Sequence, residues 1–436
     1  MAKPQPTPWV PIDRAPDLAR EALQSAAKTL AAGSPRDALR SCGWAWAQQR
    51  YLREAYELAS RAAREVGESE LARALTTITS EPQAAGAWLQ AGWVLVDRGA
   101  SELAVPLLEE AYRLEPRNPE IRESLVIAYS DEGRHHDVVA LAQTMSLNER
   151  PSLAFPLAWS SLMTRRTDTV ERALPTLSRV AQRLTELRGV HAKAAAAFER
   201  YRAFPPADDI RHWHYVQYGG ITLDLNEDLD LAGGRYNLLS LSLEEVANLL
   251  RRLVLVGRAL SVPLGPFGWV SRDGEILARA LALLTGGGLA AGATEEAWLV
   301  FGDPRELDPP RYAKACDPRI RTFALTFPWT LWGPRVMDVT GVWAELAILP
   351  WNGGWQVHPE SRSVNELPAD RRSPAEIAAE IARIANGTSP SGRSDLSEFV
   401  IPRRAMLSLV ERRSPRGLPY VPDAPLPAAS LNGMLG

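Results

Sequence analysis

The chain has 436 residues, of which 46% are hydrophobic and 23% charged, and its formal net charge is −3 at pH 7. This balance is typical of a globular protein, and the length suffices for about two or three domains. A net charge near zero argues against a general attraction to nucleic acid or to an anionic membrane. Only four of the 49 basic residues are lysine, which together with the abundant alanine points to a GC-rich bacterial genome.

The cysteines and the N-terminus indicate the cellular compartment. Cys42 and Cys316 lie in different predicted domains, so we expect a reducing cytoplasm and no disulfide framework. Residues 1–14 are rich in proline, lack the apolar stretch of a signal peptide and are predicted to be flexible. A membrane-spanning helix requires about 18 consecutive apolar residues, and the sequence has no such run. We therefore expect a cytoplasmic protein that binds neither membrane nor nucleic acid.

One 34-residue unit stands out when Ala85 is taken as its first position. Its size pattern is set by Trp88 at position 4, Gly92 at 8, Leu95 at 11, Gly99 at 15, Ala104 at 20, Leu108 at 24, Ala111 at 27 and Pro116 at 32. Small residues at positions 8 and 20 let two antiparallel helices approach closely, while Gly99 supplies the turn and Pro116 ends the second helix. The unit resembles a tetratricopeptide repeat (TPR), a family of scaffolds that hold other proteins.

A repeat of this kind buries its apolar face against neighbours, so at least three are normally needed. A second unit begins at Pro119 and a weaker one at Arg36. Because Arg36 and Ala85 are 49 residues apart rather than 34, we interpret the helix predicted over 68–80 as an insertion. Further helices are predicted over residues 153–163 and 169–184, with a capping helix over 190–202. The resemblance implies an all-α solenoid over residues 15–203.

The sequence changes character near Phe204, where alanine-rich helical periodicity gives way to short β-branched and aromatic runs. Strands that alternate with helices favour an α/β domain with a mostly parallel sheet over residues 204–386. Strands are predicted over 215–225, 262–270, 297–301, 322–327 and 342–349, and helices over 243–260, 274–284 and 374–385. Residues 387–436 form a predicted tail rich in Pro, Ser and Gly with one short helix. This second region resembles no family.

The preferred hypothesis is a protein–protein interaction scaffold or adaptor, and we expect no enzymatic activity. In such a solenoid, the first helix of each repeat presents its non-consensus positions to a groove on the concave face, where a partner peptide or helix binds. The predicted partner-binding residues are Gln90, Trp93, Asp97, Arg122, Ser130 and Glu132.

The alternative hypothesis is an enzyme or sensor whose α/β domain binds a phosphorylated or nucleotide-like molecule at the carboxyl ends of its strands. Ser271, Arg272 and Asp273 open a helix and Asp303 follows a strand. Backbone amides and the guanidinium there would hold a phosphate. Helix capping by Ser271 explains the same residues without a ligand. No GxxxxGK[ST] or GxGxxG motif is present, and no cofactor is predicted.

A histidine pair gives the sequence its candidate for metal binding. His212 and His214 precede the first predicted strand, where alternate residues point the same way and two imidazoles could share a zinc ion. A complete site would also need His358 or a carboxylate such as Asp224, whose distance from the pair the sequence does not give. A hydrogen-bonded pair at the domain junction explains the motif without a metal. We therefore predict no metal site.

Overall fold

The computed structural model describes residues 9–184, 187–203, 215–217, 219–223, 238–259, 261–290, 298–307, 320–327, 337–344, 346–358 and 363–387. Contacts divide the chain into two compact units, one ending at Arg183 and the other beginning at Leu184. The predicted fold class is confirmed: a helical solenoid is followed by an α/β region with a parallel sheet. The histidine pair at 212 and 214 and the tail from 388 onward lie outside the described residues.

Antiparallel helices make up the described part of the first unit. They are α1 (Asp17–Ala31), α2 (Pro35–Gln48), α3 (Arg53–Glu65), α4 (Ser69–Ser80), α5 (Ala85–Asp97), α6 (Ser101–Leu114), α7 (Pro119–Asp131), α8 (His135–Ala142), α9 (Ala154–Met163) and α10 (Thr167–Arg183). Each helix packs against the next one along the chain. The helices predicted from the Ala85 and Pro119 units therefore begin where the repeat pattern placed them.

Every odd-numbered helix of the solenoid ends in the same left-handed turn. The turn residues are Gly33, Gly67, Gly99, Gly133 and Arg165, with φ between 61° and 84°, and they recur every 32 or 34 residues. At each turn the following N–H donates to the carbonyl five residues earlier, over 2.7–2.9 Å. This is the Schellman motif, which satisfies helix carbonyls that would otherwise lack partners. The solenoid is thus a series of helix pairs with one common period.

The period corrects one interpretation made from the sequence. The helix predicted over 68–80 is present as α4, but it is not an insertion, because α3 begins at Arg53, which lies 32 residues before Ala85. The Ser60 hydroxyl of α3 donates to the Ala72 carbonyl of α4 over 2.8 Å, which joins the two helices as a pair. The unit that began at Arg36 combined the second helix of one pair with the first helix of the next.

Aromatic side chains fill the core where the first three pairs meet. Trp46 and Tyr56 stack with ring centroids 5.3 Å apart, and Trp88 meets Tyr56 edge-on at 5.4 Å. Trp46 also donates to the Leu103 carbonyl over 3.2 Å, so α2 contacts α6 directly. Trp9 packs against Tyr56 at 5.8 Å. The end of the N-terminal segment that we predicted to be flexible is therefore held by the core from Trp9 onward.

Small residues set the distance between paired helices, as the repeat pattern predicted. A Cβ atom added at Gly92 would lie 2.6 Å from Cγ of Leu108, far inside van der Waals contact. Between two different pairs, Gly43 of α2 is equally close to Leu103 of α6, with 2.3 Å to Cδ2. A side chain at either position would have to displace the facing leucine.

The second unit contains α11 (Arg188–Ala203), α12 (Leu243–Ala259), α13 (Arg272–Thr285) and α14 (Pro374–Gly387). Its strands are β1 (Ile221–Thr222), β2 (Leu238–Ser240), β3 (Phe267–Trp269), β4 (Trp298–Phe301), β5 (Arg321–Phe327), β6 (Val339–Trp343), β7 (Leu346–Ile348), β8 (Gly354–His358) and β9 (Ser363–Leu367). Helix α11, which we predicted to cap the solenoid, belongs to this unit by its contacts. Arg200 of α11 donates to the Val216 carbonyl over 2.9 Å.

The main sheet has the strand order β1-β6-β5-β4-β3, and all its pairs are parallel. Side chains alternate between its faces, so Val300 and Phe323 lie in the core cluster that α12, α13 and α14 also enter. Leu299, Phe301 and Ala324 belong to a separate cluster on the other face. Both faces of these strands are buried, as expected of a parallel sheet. Strands β2 and β7 form a separate parallel pair, and β8 and β9 an antiparallel hairpin.

Backbone conformation predicts opposite effects for two glycine substitutions, one in a left-handed turn and one within a helix. A Cβ atom at Gly99 or at Gly86 would have no neighbour within 4 Å, so conformation alone decides each effect. Gly99→Ala places alanine at φ 72° and is expected to lower the free energy of unfolding by about 1 kcal/mol. Gly86→Ala, within α5, is expected to raise it by about 0.5–1 kcal/mol. Urea unfolding followed by far-UV circular dichroism measures both variants. A change of the free energy of unfolding in the same direction for both would contradict the explanation.

Candidate functional site

Helices α5 and α7 are the first helices of adjacent pairs, and they pack against each other. Their equivalent residues are 34 positions apart, so Trp93 of α5 corresponds to Ile127 of α7. Trp93 is 45% exposed, and Ile127 is partly exposed. Leu89 and Val96 flank Trp93 on α5 and are only partly buried. These apolar side chains form the centre of one exposed surface.

We call this surface the α5–α7 face. It consists of Leu89, Trp93, Val96 and Asp97 on α5 and of Glu120, Glu123, Ile127, Ser130 and Asp131 on α7. Its acids are arranged around the apolar centre. Glu123 pairs with Arg150 over 2.6 Å, and Asp131 accepts a hydrogen bond from Ser101 over 2.7 Å. Glu120 is exposed at the start of α7. The face is therefore apolar in the middle and acidic along its edges.

Of the predicted partner-binding residues, Trp93, Asp97 and Ser130 lie on the α5–α7 face. Asp97 is exposed and pairs with Arg98 over 2.9 Å. Gln90 is also exposed on α5, where its amide donates to Glu70 of α4 over 3.0 Å. The structure thus brings four of the six predicted residues to one helix face or its border.

Of the other two predicted residues, Arg122 is bonded to α8, and Glu132 lies next to the face at the end of α7. The guanidinium of Arg122 donates to the Leu141 carbonyl over 3.3 Å and to the Thr144 hydroxyl, so it joins α7 to the end of α8. The position of Arg122 in the repeat pattern did not predict these hydrogen bonds to α8. Glu132 caps the C-terminus of α7 in the turn that leads to α8.

Glu132 lies in an acidic environment. Burial and, to a smaller extent, the neighbouring carboxylates of Glu102 and Asp131 raise the pKa of Glu132 to about 7, against the effect of Arg134, which lowers it. Burial also raises the pKa of Asp131. The guanidinium of Arg134 is itself held by Glu109 at 2.9 Å and by Asp137 at 2.7 Å. Negative charge is thus concentrated at the end of α7 next to the α5–α7 face.

Helix α9 gives an internal comparison for α5. The sequence Ala154–Met163 carries no charged residue, and its side chains are buried except that of Phe155, which is only partly exposed. Residues Ala85–Val96 of α5 carry no charge either. A helix that is apolar on all sides is normally buried. By this criterion α5 resembles α9, yet Trp93 remains at the surface.

The second candidate region is the carboxyl edge of strands β3 and β4. Ser271 caps α13 by accepting a hydrogen bond from the Gly274 N–H over 3.0 Å, and its hydroxyl donates to Glu306. Asp303 caps the short 3₁₀ helix Pro304–Glu306 and pairs with Arg305 over 2.5 Å. Glu306 therefore links the loop after β4 to the start of α13.

Two residues of the predicted phosphate-binding arrangement, Arg272 and Asp273, make contacts within the protein at this edge. Arg272 extends toward a different segment, where it donates to the Asp370 carbonyl over 3.0 Å. Both carboxylate oxygens of Asp273 are occupied, one by Trp351 at 2.8 Å and one by Asn352 at 2.9 Å. The arginine and the carboxylates thus serve contacts within the protein.

Glu306 is the central residue of this edge and was missed in the sequence. Its Oε1 accepts hydrogen bonds from the N–H groups of Gly302 and Asp303, at 3.1 and 3.0 Å. Burial raises its pKa to about 7, against the effect of the Ser271 hydroxyl, which lowers it. The spacing Asp303-Pro-Arg-Glu306 is that of a capping box, which could have identified it.

Asp338, another acid near a strand end, lies at the opposite edge of the sheet. It precedes β6 and accepts a hydrogen bond from the Thr322 N–H over 2.6 Å, at the start of β5. Within the described ranges, no group of three or more His, Cys, Asp or Glu residues could hold a metal ion. No helix in that part of the chain is long and apolar enough to cross a bilayer.

Comparison with known proteins gives similarities among solved structures. No protein-family model and no curated protein sequence matches the chain. Among solved structures, the chain is similar to a thermophilic TPR protein of Thermus thermophilus, with 20% identity and a TM-score of 0.22. The match covers 41% of this chain and 98% of that protein. A similarity at this level says nothing of what either protein binds.

The raised pKa of Glu132 predicts a change of stability with pH. The folded-state pKa of about 7 exceeds the unfolded value of about 4.3. The contribution of this carboxyl group is thus fully present below about pH 4.3 and is lost as the pH rises through 7. Glu132→Gln is expected to match the wild type at pH 4 and to exceed it by about 1–2 kcal/mol at pH 8. Urea midpoints across this range measure the difference.

The control for this prediction is Glu65→Gln. Glu65 is an exposed glutamate near the C-terminus of α3. Its substitution removes the same chemical group as in Glu132→Gln, but from a side chain that is not buried. Glu65→Gln is expected to change the urea midpoint only slightly at either pH value. A pH-independent effect of Glu132→Gln would contradict the explanation.

The carboxyl edge of the sheet generates a further prediction. Glu306→Ala leaves the N–H groups of Gly302 and Asp303 without their acceptor and is expected to cost about 2 kcal/mol of unfolding free energy. Glu275→Ala, which removes an ion pair with Arg279 in the first turn of α13, is expected to cost less than about 1 kcal/mol. Thermal unfolding of the full chain compares the two, and equal costs would show that Glu306 does not link the loop to the helix.

Proposed function

We propose that this protein is an interaction scaffold that binds a partner protein at the α5–α7 face. The observation that carries the proposal is the exposure of Trp93, at 45%, in the middle of a helix without charge before Asp97. Tryptophan is enriched among the residues that anchor protein–protein interfaces, and exposed apolar patches mark such sites. The partner is expected to be a peptide segment or a helix that covers this side chain.

The helical repeat architecture supports this function physically. Each pair contacts mainly its neighbours, so the exposed positions of the first helices are free to vary while the buried small and large residues maintain the fold. Trp93 and Ile127 occupy equivalent positions of adjacent pairs, and their helices are in contact. Together they offer a continuous surface rather than two isolated side chains.

The alternative of a ligand-binding α/β domain has less support. Arg272 is engaged with the Asp370 carbonyl, and the oxygens of Asp273 and Glu306 accept hydrogen bonds from within the protein. A site for a phosphorylated molecule needs donors that are free to meet the anion. We therefore assign no catalytic role to this edge, and the proposal rests on the solenoid.

Site-specific photo-crosslinking tests the proposed scaffold function. A photoreactive phenylalanine analogue is placed at Trp93 of the full chain in its native host, and illumination is expected to yield a discrete adduct of higher mass, which mass spectrometry identifies. The matched control is the same analogue at Trp44, which is 42% exposed on α2.

The pattern of adducts decides the outcome. Crosslinks from position 93 and none of the same species from position 44 would support a partner on the α5–α7 face. The same adducts from both positions, or none from position 93, would overturn the proposal, because the two tryptophans are almost equally exposed.

A further inference from the structure

The charges around the α5–α7 face favour one class of partner over others. Carboxylates on the face or at its border are Glu70, Asp97, Glu102, Glu120, Glu123, Asp131 and Glu132. Two arginines pair with acids on this face. Arg98 is bonded to Glu68 and Asp97, and Arg150 to Glu123. Negative charge is therefore in excess around the apolar centre.

The titration of these acids is consistent with that excess. The neighbouring carboxylates Glu102 and Asp131 add to burial in raising the pKa of Glu132. A cationic group that approached this end of α7 would relieve the repulsion, because opposite charges within a few ångströms stabilise the ionised carboxylate. The solenoid itself supplies Arg134 there, but Glu109 and Asp137 hold its guanidinium.

We infer that the α5–α7 face binds a cationic amphipathic segment, in which a large apolar side chain covers Trp93 and Ile127 while flanking lysine or arginine residues meet the acids at the edges. This inference rests on the proposed function and adds the chemistry of the partner. An acidic segment would face like charges along α7, a mismatch that complementary interfaces avoid. An uncharged apolar segment would leave the excess negative charge at the edges uncompensated.

A display library of random peptides about 12 residues long tests the chemistry directly. The full-length protein is the bait, and parallel selections use the Trp93→Ala and Trp44→Ala variants. We expect the wild type and Trp44→Ala to enrich peptides that combine aromatic or aliphatic residues with lysine or arginine. Trp93→Ala is expected to lose this enrichment. Circular dichroism verifies that both variants fold, as the exposure of these side chains leads us to expect.

Affinity measurements on one enriched peptide complete the test. Trp93→Ala is expected to weaken its binding about tenfold or more, and Trp44→Ala to leave it unchanged. The exposed pair Asp97→Asn and Glu120→Gln is expected to weaken binding and to reduce its dependence on salt. Enrichment of acidic or neutral peptides, equal enrichment by Trp93→Ala, or no enrichment would overturn the inference. Crosslinking at position 93 with acidic peptides enriched would refute only the partner chemistry and leave the scaffold function standing.

Discussion

The left-handed turn between the two helices of each pair is the constraint on which the solenoid depends. It reverses the chain within three residues while satisfying the last carbonyls of the first helix. Gly33, Gly67, Gly99 and Gly133 adopt it without a Cβ penalty. Arg165 adopts the same conformation in the final pair, with φ 61°, at a conformational cost of about 1 kcal/mol. The surrounding pair holds that residue in the geometry of the others.

Regular pairing explains how the solenoid presents a surface of its own. The interior uses small residues where helices touch, such as Gly43 and Gly92, and aromatic rings where three pairs meet. These requirements fix the buried positions and leave the exposed positions of the first helices unconstrained by the fold. Trp93 is therefore not explained by packing. An apolar centre with acidic edges is instead what recognition of a cationic amphipathic partner requires.

In the parallel sheet, polar residues make contacts within the protein. In open α/β sheets the carboxyl edge of the strands is where ligands commonly bind, and this edge does gather Ser271, Asp273, Asp303 and Glu306. Their hydrogen bonds, however, close on caps, backbone amides and the side chains of Trp351 and Asn352. The same residue types that bind ligands elsewhere here connect the loop after β4 to α13 and to the segment before the β8–β9 hairpin.

The sequence by itself determined the fold class and the positions of most helices, because helix periodicity, glycine turns and proline stops act locally. It also determined that Trp93 lies on an exposed helix face. Tertiary structure alone decided which helices pair. From the sequence, α3 was paired with α2 in the unit that began at Arg36, whereas the hydrogen bond between Ser60 and Ala72 joins α3 to α4. Tertiary structure also decided that Arg122 bonds α8 and that Glu306 accepts a hydrogen bond from Ser271, because these partners are distant in sequence.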